Sequence, residues 1–295
     1  MKQVCKGCNN LKWAALGASF CALMSVTTAN AVAIAFGGAA VARCTLDVAS
    51  LTYTCADNAT TNIDTIDIGV NYVVTILGDG EMKASTATLG VGSGVHGDLY
   101  SASTVALGVN AYVTGNVTAL TTVALGAGAY VSRNLWAGTT VAMGERSYVG
   151  RNVFAGTTFA LGADGYVWLN VDAQTATLGT NAYVHRDLTA MTATLGANAY
   201  VNRDITATTA TMGATAYVNR DVTATTATLG ANACVNRNLE ALTATLGADA
   251  SVGAMVPLPT TLTLGAGAII GDGTCRLLRR PRNAFTPIIY ERENY

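Results

Sequence analysis

Glycine recurs on a nearly fixed count through most of this chain. Gly90, Gly108, Gly126, Gly144, Gly162, Gly179, Gly196, Gly213, Gly230, Gly247 and Gly265 are spaced 18 residues apart four times, 17 apart five times, and 18 once more. A period held this long specifies a stack of small like units, each touching its neighbours, and excludes a mixed globular domain. The period is too short for a pair of helices. Val, Thr and Tyr are frequent while Lys83 is the only lysine beyond Lys12, so the unit is built from strands.

Each period divides roughly into sixes. In 125–130, 131–136 and 137–142 the first and fifth positions are apolar: Leu125 and Ala129, Val131 and Leu135, Ala137 and Val141. Three short strands per turn, each sending two side chains inward, make a triangular coil. Coils stacked about 4.8 Å apart satisfy one another's backbone groups. The reading is an all-β, single-stranded triangular β-solenoid (β-helix) of about 11 coils, a rod of roughly 50 Å at that spacing. The 17-residue coils lose a residue from the third six, as in 207–211. Such a loss is tolerable at a corner but would flip a face inside a strand.

The Leu-Gly-x-x-Ala-x sixes resemble the hexapeptide repeat of left-handed β-helix acyltransferases. The segments 95–99 (Val-His-Gly-Asp-Leu) and 113–117 (Val-Thr-Gly-Asn-Val), each followed by a Leu-Gly, resemble bactofilin-type polymer-forming β-helices. The likeness covers about residues 85–270. It implies the solenoid architecture, and on the bactofilin side self-assembly. The chain departs from both families. Bactofilins are cytoplasmic whereas this chain opens like an exported one, and nothing around His96 or His185 supports the acyltransferase's catalytic histidine.

If Leu and Ala point inward, the residues between them form outward ladders. One column is Thr86, Thr104, Thr122, Thr140, Thr158, Thr175, Thr192, Thr209, Thr226, Thr243 and Thr261. Two residues on lies a second: Thr88, Ala106, Ala124, Ala142, Ala160, Thr177, Thr194, Thr211, Thr228, Thr245 and Thr263. Seven coils carry Thr-x-Thr and four Thr-x-Ala; the Thr-x-Thr array resembles the ice-binding face of insect antifreeze β-solenoids, and Thr86, Thr88, Thr175, Thr177, Thr192, Thr194, Thr209, Thr211, Thr226, Thr228, Thr243, Thr245, Thr261 and Thr263 are the candidate ice- or surface-binding residues. Threonine is also an ordinary exposed strand residue whose stacked pairs steady a sheet. An aromatic ladder comprises Tyr112, Tyr130, Tyr148, Tyr166, Tyr183, Tyr200 and Tyr217, giving way to Cys234 and Ser251. It reads as structural stacking, with a carbohydrate- or partner-binding stripe as the other reading. A third column, Arg133, Arg151, Arg186, Arg203, Arg220 and Arg237, has Asn or Asp after each arginine. It reads as a solvated, self-neutralising corner.

The ends differ from the middle. Lys2, Lys6 and Lys12, an apolar run of about 14 residues, and Ala29-Asn30-Ala31 have the order of a secretory signal peptide over 1–31. The run is short for a membrane span of about 20, which an uncleaved anchor would need. Residues 32–80 are non-repetitive and strand-rich and are expected to cap the first coil, with repeats over 81–270 and a basic C-terminal tail over 271–295. Export leaves Cys44, Cys55, Cys234 and Cys275, and a Cys44–Cys55 disulfide closes a plausible hairpin. Whether Cys234 and Cys275 pair is open.

A net charge of -1 excludes a polybasic nucleic-acid binder. The sequence shows no catalytic constellation, and no cofactor or metal is expected. The expected function is that of a secreted, non-catalytic structural or adhesive element that self-assembles; the alternative is ice binding. Partners are other copies end to end or laterally, ice, or polysaccharide. The membrane enters only through the signal peptide.

Overall fold

The protein is described from a computed structural model covering residues 33–37, 44–56, 63–78, 80–271 and 275. Residues 1–31, expected to be a signal peptide, and the basic run 276–282 lie outside the described residues. Within them every regular element is a strand, twenty-eight in all. Successive turns wind into a β-solenoid of about 12 turns.

One turn shows how the sequence makes the coil. Tyr130–Val131, Leu135–Ala137 and Thr140–Met143 are three short strands. Each pairs in parallel with its equivalent one turn earlier and later. Val131, Leu135, Ala137, Val141 and Met143 point inward and are buried, while the alternate side chains face out. Burying each Val or Leu contributes about 1.5–3 kcal/mol. The stack also closes the backbone ledger, since N–H groups meet carbonyls of the neighbouring turn, as in Gly126 N to Leu107 O at 2.7 Å.

The corner that opens each turn starts at the period-setting glycine and is closed by the N–H three residues on, usually that of Ala (Ser93, Ser147 and Gly165 are exceptions), as in Ala111 N donating to Gly108 O at 3.1 Å. Its third residue is left-handed: Asn110, Gly128, Arg146, Asp164, Asn181, Asn198, Thr215, Asn232 and Asp249 all have φ between 54° and 66°. Asn, Asp and Gly dominate there because they tolerate that region best. The period-setting glycine is required for a different reason. A Cβ on Gly126 would sit 2.7 Å from the carbonyl carbon of Gly108, so the column of glycines stacks backbone directly on backbone.

A second corner carries a ladder of side-chain amides and carboxylates. Oδ1 of Asp98, Asn116, Asn134, Asn152, Asn170, Asp187, Asp204, Asp221 and Asn238 each accepts the backbone N–H of the equivalent position one turn on, at 2.7–3.3 Å. These bonds satisfy corner amides that no strand partner reaches.

The residue lost from the 17-residue turns lies at the third corner. Ala155 pairs with Ala173 and Thr158 with Thr175, so Gly156 and Thr157 are replaced by Gln174 alone. The register resumes on the same face. From Val171 to Leu229 the second and third sides run together as single strands of eight residues, such as Leu188–Leu195. From Val105 to Ala244 core volume follows corner length, with Ile66 behind the single corner residue Asp64 as the exception nearer the start. Turns with two corner residues place Val105, Val123, Val141 and Phe159 at the centre of the third side. Turns with one place Ala176, Ala193, Ala210, Ala227 and Ala244 there.

The segment expected to cap the repeats is itself wound into the solenoid. We name its strands β1 (Ala33–Phe36), β2 (Cys44–Asp47), β3 (Thr52–Cys55), β4 (Ile63–Ile68) and β5 (Val73–Ile76), followed by β6 (Glu81–Leu89). β1 pairs with β4 and β4 with β6, all in parallel, and Gly69 N donates to Phe36 O just as Gly90 N donates to Ile68 O. The coil therefore begins before residue 81. What terminates it is β2, which turns back antiparallel on β3. That hairpin is closed by the Cys44–Cys55 disulfide, with Cα atoms 4.0 Å apart, and by Asp47, which accepts from Ala49 N and Ser50 Oγ. At the other end Cys234, in the tyrosine column, and Cys275 are also joined by a disulfide.

Candidate functional site

The threonine ladder is real in register. Thr86, Thr104, Thr122, Thr140, Thr158, Thr175, Thr192, Thr209, Thr226, Thr243 and Thr261 are successive Cα partners, and Thr65 extends the run by one turn. The second column pairs likewise, Thr88 to Ala106 and onward to Thr263. Its threonines are continuous from Thr177 through Thr194, Thr211, Thr228 and Thr245. Both columns face out, exposed or half-buried, on either side of a residue that is buried Ala, Val or Phe from Ala87 to Ala244 and exposed at Leu262. Their spacing is set by the sheet, about 4.8 Å across turns and about 6.8 Å along a strand. The sequence reading missed Thr206, Thr208, Thr223 and Thr225, which lie outward on the same eight-residue strands. Thr208 and Thr209 are consecutive outward residues, so the chain turns a corner between them and the added hydroxyls face another side.

The tyrosines align from Tyr112 to Tyr217, ending on Cys234 and then Ser251. Rings of Tyr166, Tyr183, Tyr200 and Tyr217 lie 4.8–5.0 Å apart and within 5° of parallel; Tyr112–Tyr130 and Tyr148–Tyr166 stack at 5.2 and 5.6 Å. Neighbours therefore occupy the ring faces, and the hydroxyl edges remain. Those hydroxyls are engaged along the strand, Tyr200 donating to Asn202 Oδ1 at 2.9 Å and Tyr217 to Asn219 Oδ1 at 3.1 Å. His96 and His185 are neighbours of Tyr112 and Tyr183, and Trp168 stacks on His185. Burial pushes the Tyr130 hydroxyl up to about 12, with Tyr112 adding to it, and raises Tyr148 and Tyr166 as well.

The arginine corner joins turn to turn. Arg203, Arg220 and Arg237 each reach the aspartate one turn earlier, Asp187, Asp204 and Asp221, at 3.3–3.6 Å. At this exposure each pair contributes about 0–1 kcal/mol. Leu169 interrupts the column between Arg151 and Arg186.

One further feature was not legible in the sequence. On the second side Trp136 and Phe154 are Cα partners whose rings stack at 5.8 Å and 5°. The next partner of Phe154 is Asp172, in the first turn that has lost its corner residue. At this step the surface forms a groove of about 340 Å³ lined by Phe154, Gly156, Asp172, Gln174, Thr189 and Met191, among others. Among the described residues no cluster of three or more His, Cys, Asp or Glu could hold a metal ion. No family model matches the chain, and no curated protein or solved structure resembles it significantly.

Proposed function

We propose that the chain is an exported, non-catalytic β-solenoid acting as a structural and adhesive element outside the cytoplasm, with copies joining end to end. The observation that carries this reading is the last turn among the described residues. Leu262 and Leu264 continue the inward columns of Ala244 and Leu246, which are buried, yet they are 39% and 50% exposed. A strand presenting core-facing leucines is a template for another parallel strand. The order of residues 1–31 supports export, and the likeness to bactofilin-type repeats supports polymer formation. Electron microscopy of the chain lacking residues 1–31 tests this: rods of many molecular lengths are expected, and monodisperse single particles at high concentration overturn it.

A second reading, ice binding, is favoured by the unbroken Thr-x-Thr array from Thr175 to Thr263. The chain should then slow ice recrystallisation, and Thr209→Tyr with Thr226→Tyr should abolish the effect. An effect indifferent to those changes, or none at all, removes this reading.

A further inference from the structure

The rod changes girth once in its middle, between the turn of Phe159 and that of Ala176. Loss of one corner residue shortens the perimeter, and Phe154 is left standing on the last wide turn. Trp136 covers one face of its ring. The other face is turned along the rod toward Asp172, and Phe154 is 38% exposed. Gly156 adds no side chain at this corner, and Met191 bounds the groove from the far side. The volume lies at the lower end of the range for ligand sites, about 300–1,000 Å³.

We infer that this groove is a binding site for one sugar ring of a neutral polysaccharide. The inference rests on the adhesive reading above and gives that reading a ligand class. The apolar C–H face of a pyranose fits against an aromatic ring that is open on one side only. Its hydroxyls then meet an acceptor-only carboxylate at Asp172, an amide with both donor and acceptor at Gln174, and the Thr189 hydroxyl. The side chains of Asp172 and Gln174 are exposed and make no hydrogen bond or ion pair with another described residue. A cationic chain would be served by the ring and carboxylate alone, and has no use for the amide. An anionic sugar is disfavoured, because no basic side chain lines the groove. Beyond it Thr189, Thr206 and Thr223 continue the same outward column, carrying hydroxyls onward along the axis.

The test is calorimetric titration of the chain lacking residues 1–31 with cellohexaose, mannohexaose and hexa-N-acetylchitohexaose, and with hexalysine. At least one glycan should bind. Phe154→Ala and Asp172→Asn should each weaken it about tenfold, the equivalent of about 1.4 kcal/mol. Ser132→Ala, on another side of the rod, should leave affinity unchanged. Asp172→Asn alters only an exposed side chain, so it decides the matter even if Phe154→Ala misfolds. No glycan binding at millimolar concentration, binding indifferent to Asp172→Asn, or tighter binding of hexalysine overturns the inference. Filaments without glycan binding leave the rod reading standing, whereas glycan binding by strictly single particles ends only the end-to-end association.

Discussion

Phe159 and Ala176 occupy the same inward position in consecutive turns, a phenyl ring in one and a methyl group in the next. Between them the third corner shrinks from Gly156-Thr157 to Gln174. The two changes belong together. A shorter perimeter encloses a narrower interior, and the 17-residue turns from Ala176 to Ala244 fill it with alanine throughout. Where a longer corner returns before Thr261, Leu262 takes the place of Ala244. Close-packed interiors respond to single methylene changes, so in the turns from Val105 to Ala244 corner length and core residue change together, whereas Ile66 near the start is accommodated beside the single corner residue Asp64.

Ala193→Val should therefore destabilise the rod by about 1–3 kcal/mol through overpacking. Adding one glycine between Ala190 and Thr192 to the same variant should recover much of the loss, because it restores the wider perimeter. Urea unfolding followed by far-UV circular dichroism reads both. A valine variant as stable as wild type, or no recovery on insertion, contradicts the coupling.

The left-handed corner offers a stabilising change. Thr215 holds φ at 56° in a column where Asn198 and Asn232 are its neighbours, and its β-branched side chain is poorly suited to that region. Thr215 Oγ1 does bond to Asn198 Oδ1, which offsets part of the strain. Asn supplies the preferred backbone and also a polar side chain, so Thr215→Asn should raise stability by about 1 kcal/mol. A lower thermal midpoint in the variant would count against this account of the corner.

Alkaline pH should act through the tyrosine ladder. An unfolded phenol titrates near about 10, whereas burial pushes Tyr130 up to about 12 and moves Tyr148 and Tyr166 in the same direction. The unfolded chain thus releases its protons first. The contribution is complete below about pH 10 and is lost as pH rises through about 12. Thermal midpoints measured across that window should fall steeply, and Tyr130→Phe should flatten the fall. A flat wild-type profile to pH 12 would be the opposite result.

Much of this fold was legible because equal spacing in a solenoid is register in space. The count from Gly90 to Gly265 by itself aligns the threonines, tyrosines and arginines. The N-terminal turns were hidden because the β2–β3 hairpin is inserted between β1 and β4, which puts Gly37 off the count, and because a longer link joins β5 to β6, which puts Gly69 off it, although Gly37, Gly69 and Gly90 still stack. The Asn and Asp ladder was only half visible: the residues were noted beside the arginines, but their oxygens face the next turn's amides, which pairwise reading along the chain does not show. Trp136 and Phe154 span a single pair of turns, too short a run to stand out as a column. The groove beyond them comes from a residue that is missing, and subtraction leaves no motif.

The pairing of Thr192 with Thr209 and of Thr209 with Thr226 has a consequence for how such a molecule changes over generations. Excising residues 196–212 joins Leu195 to Gly213 and brings Thr192 against Thr226, the same junction as before. Rod length is thus a tally that duplication or loss of one unit alters in whole steps, like adding or removing a graduation from a ruler, with every remaining mark still aligned.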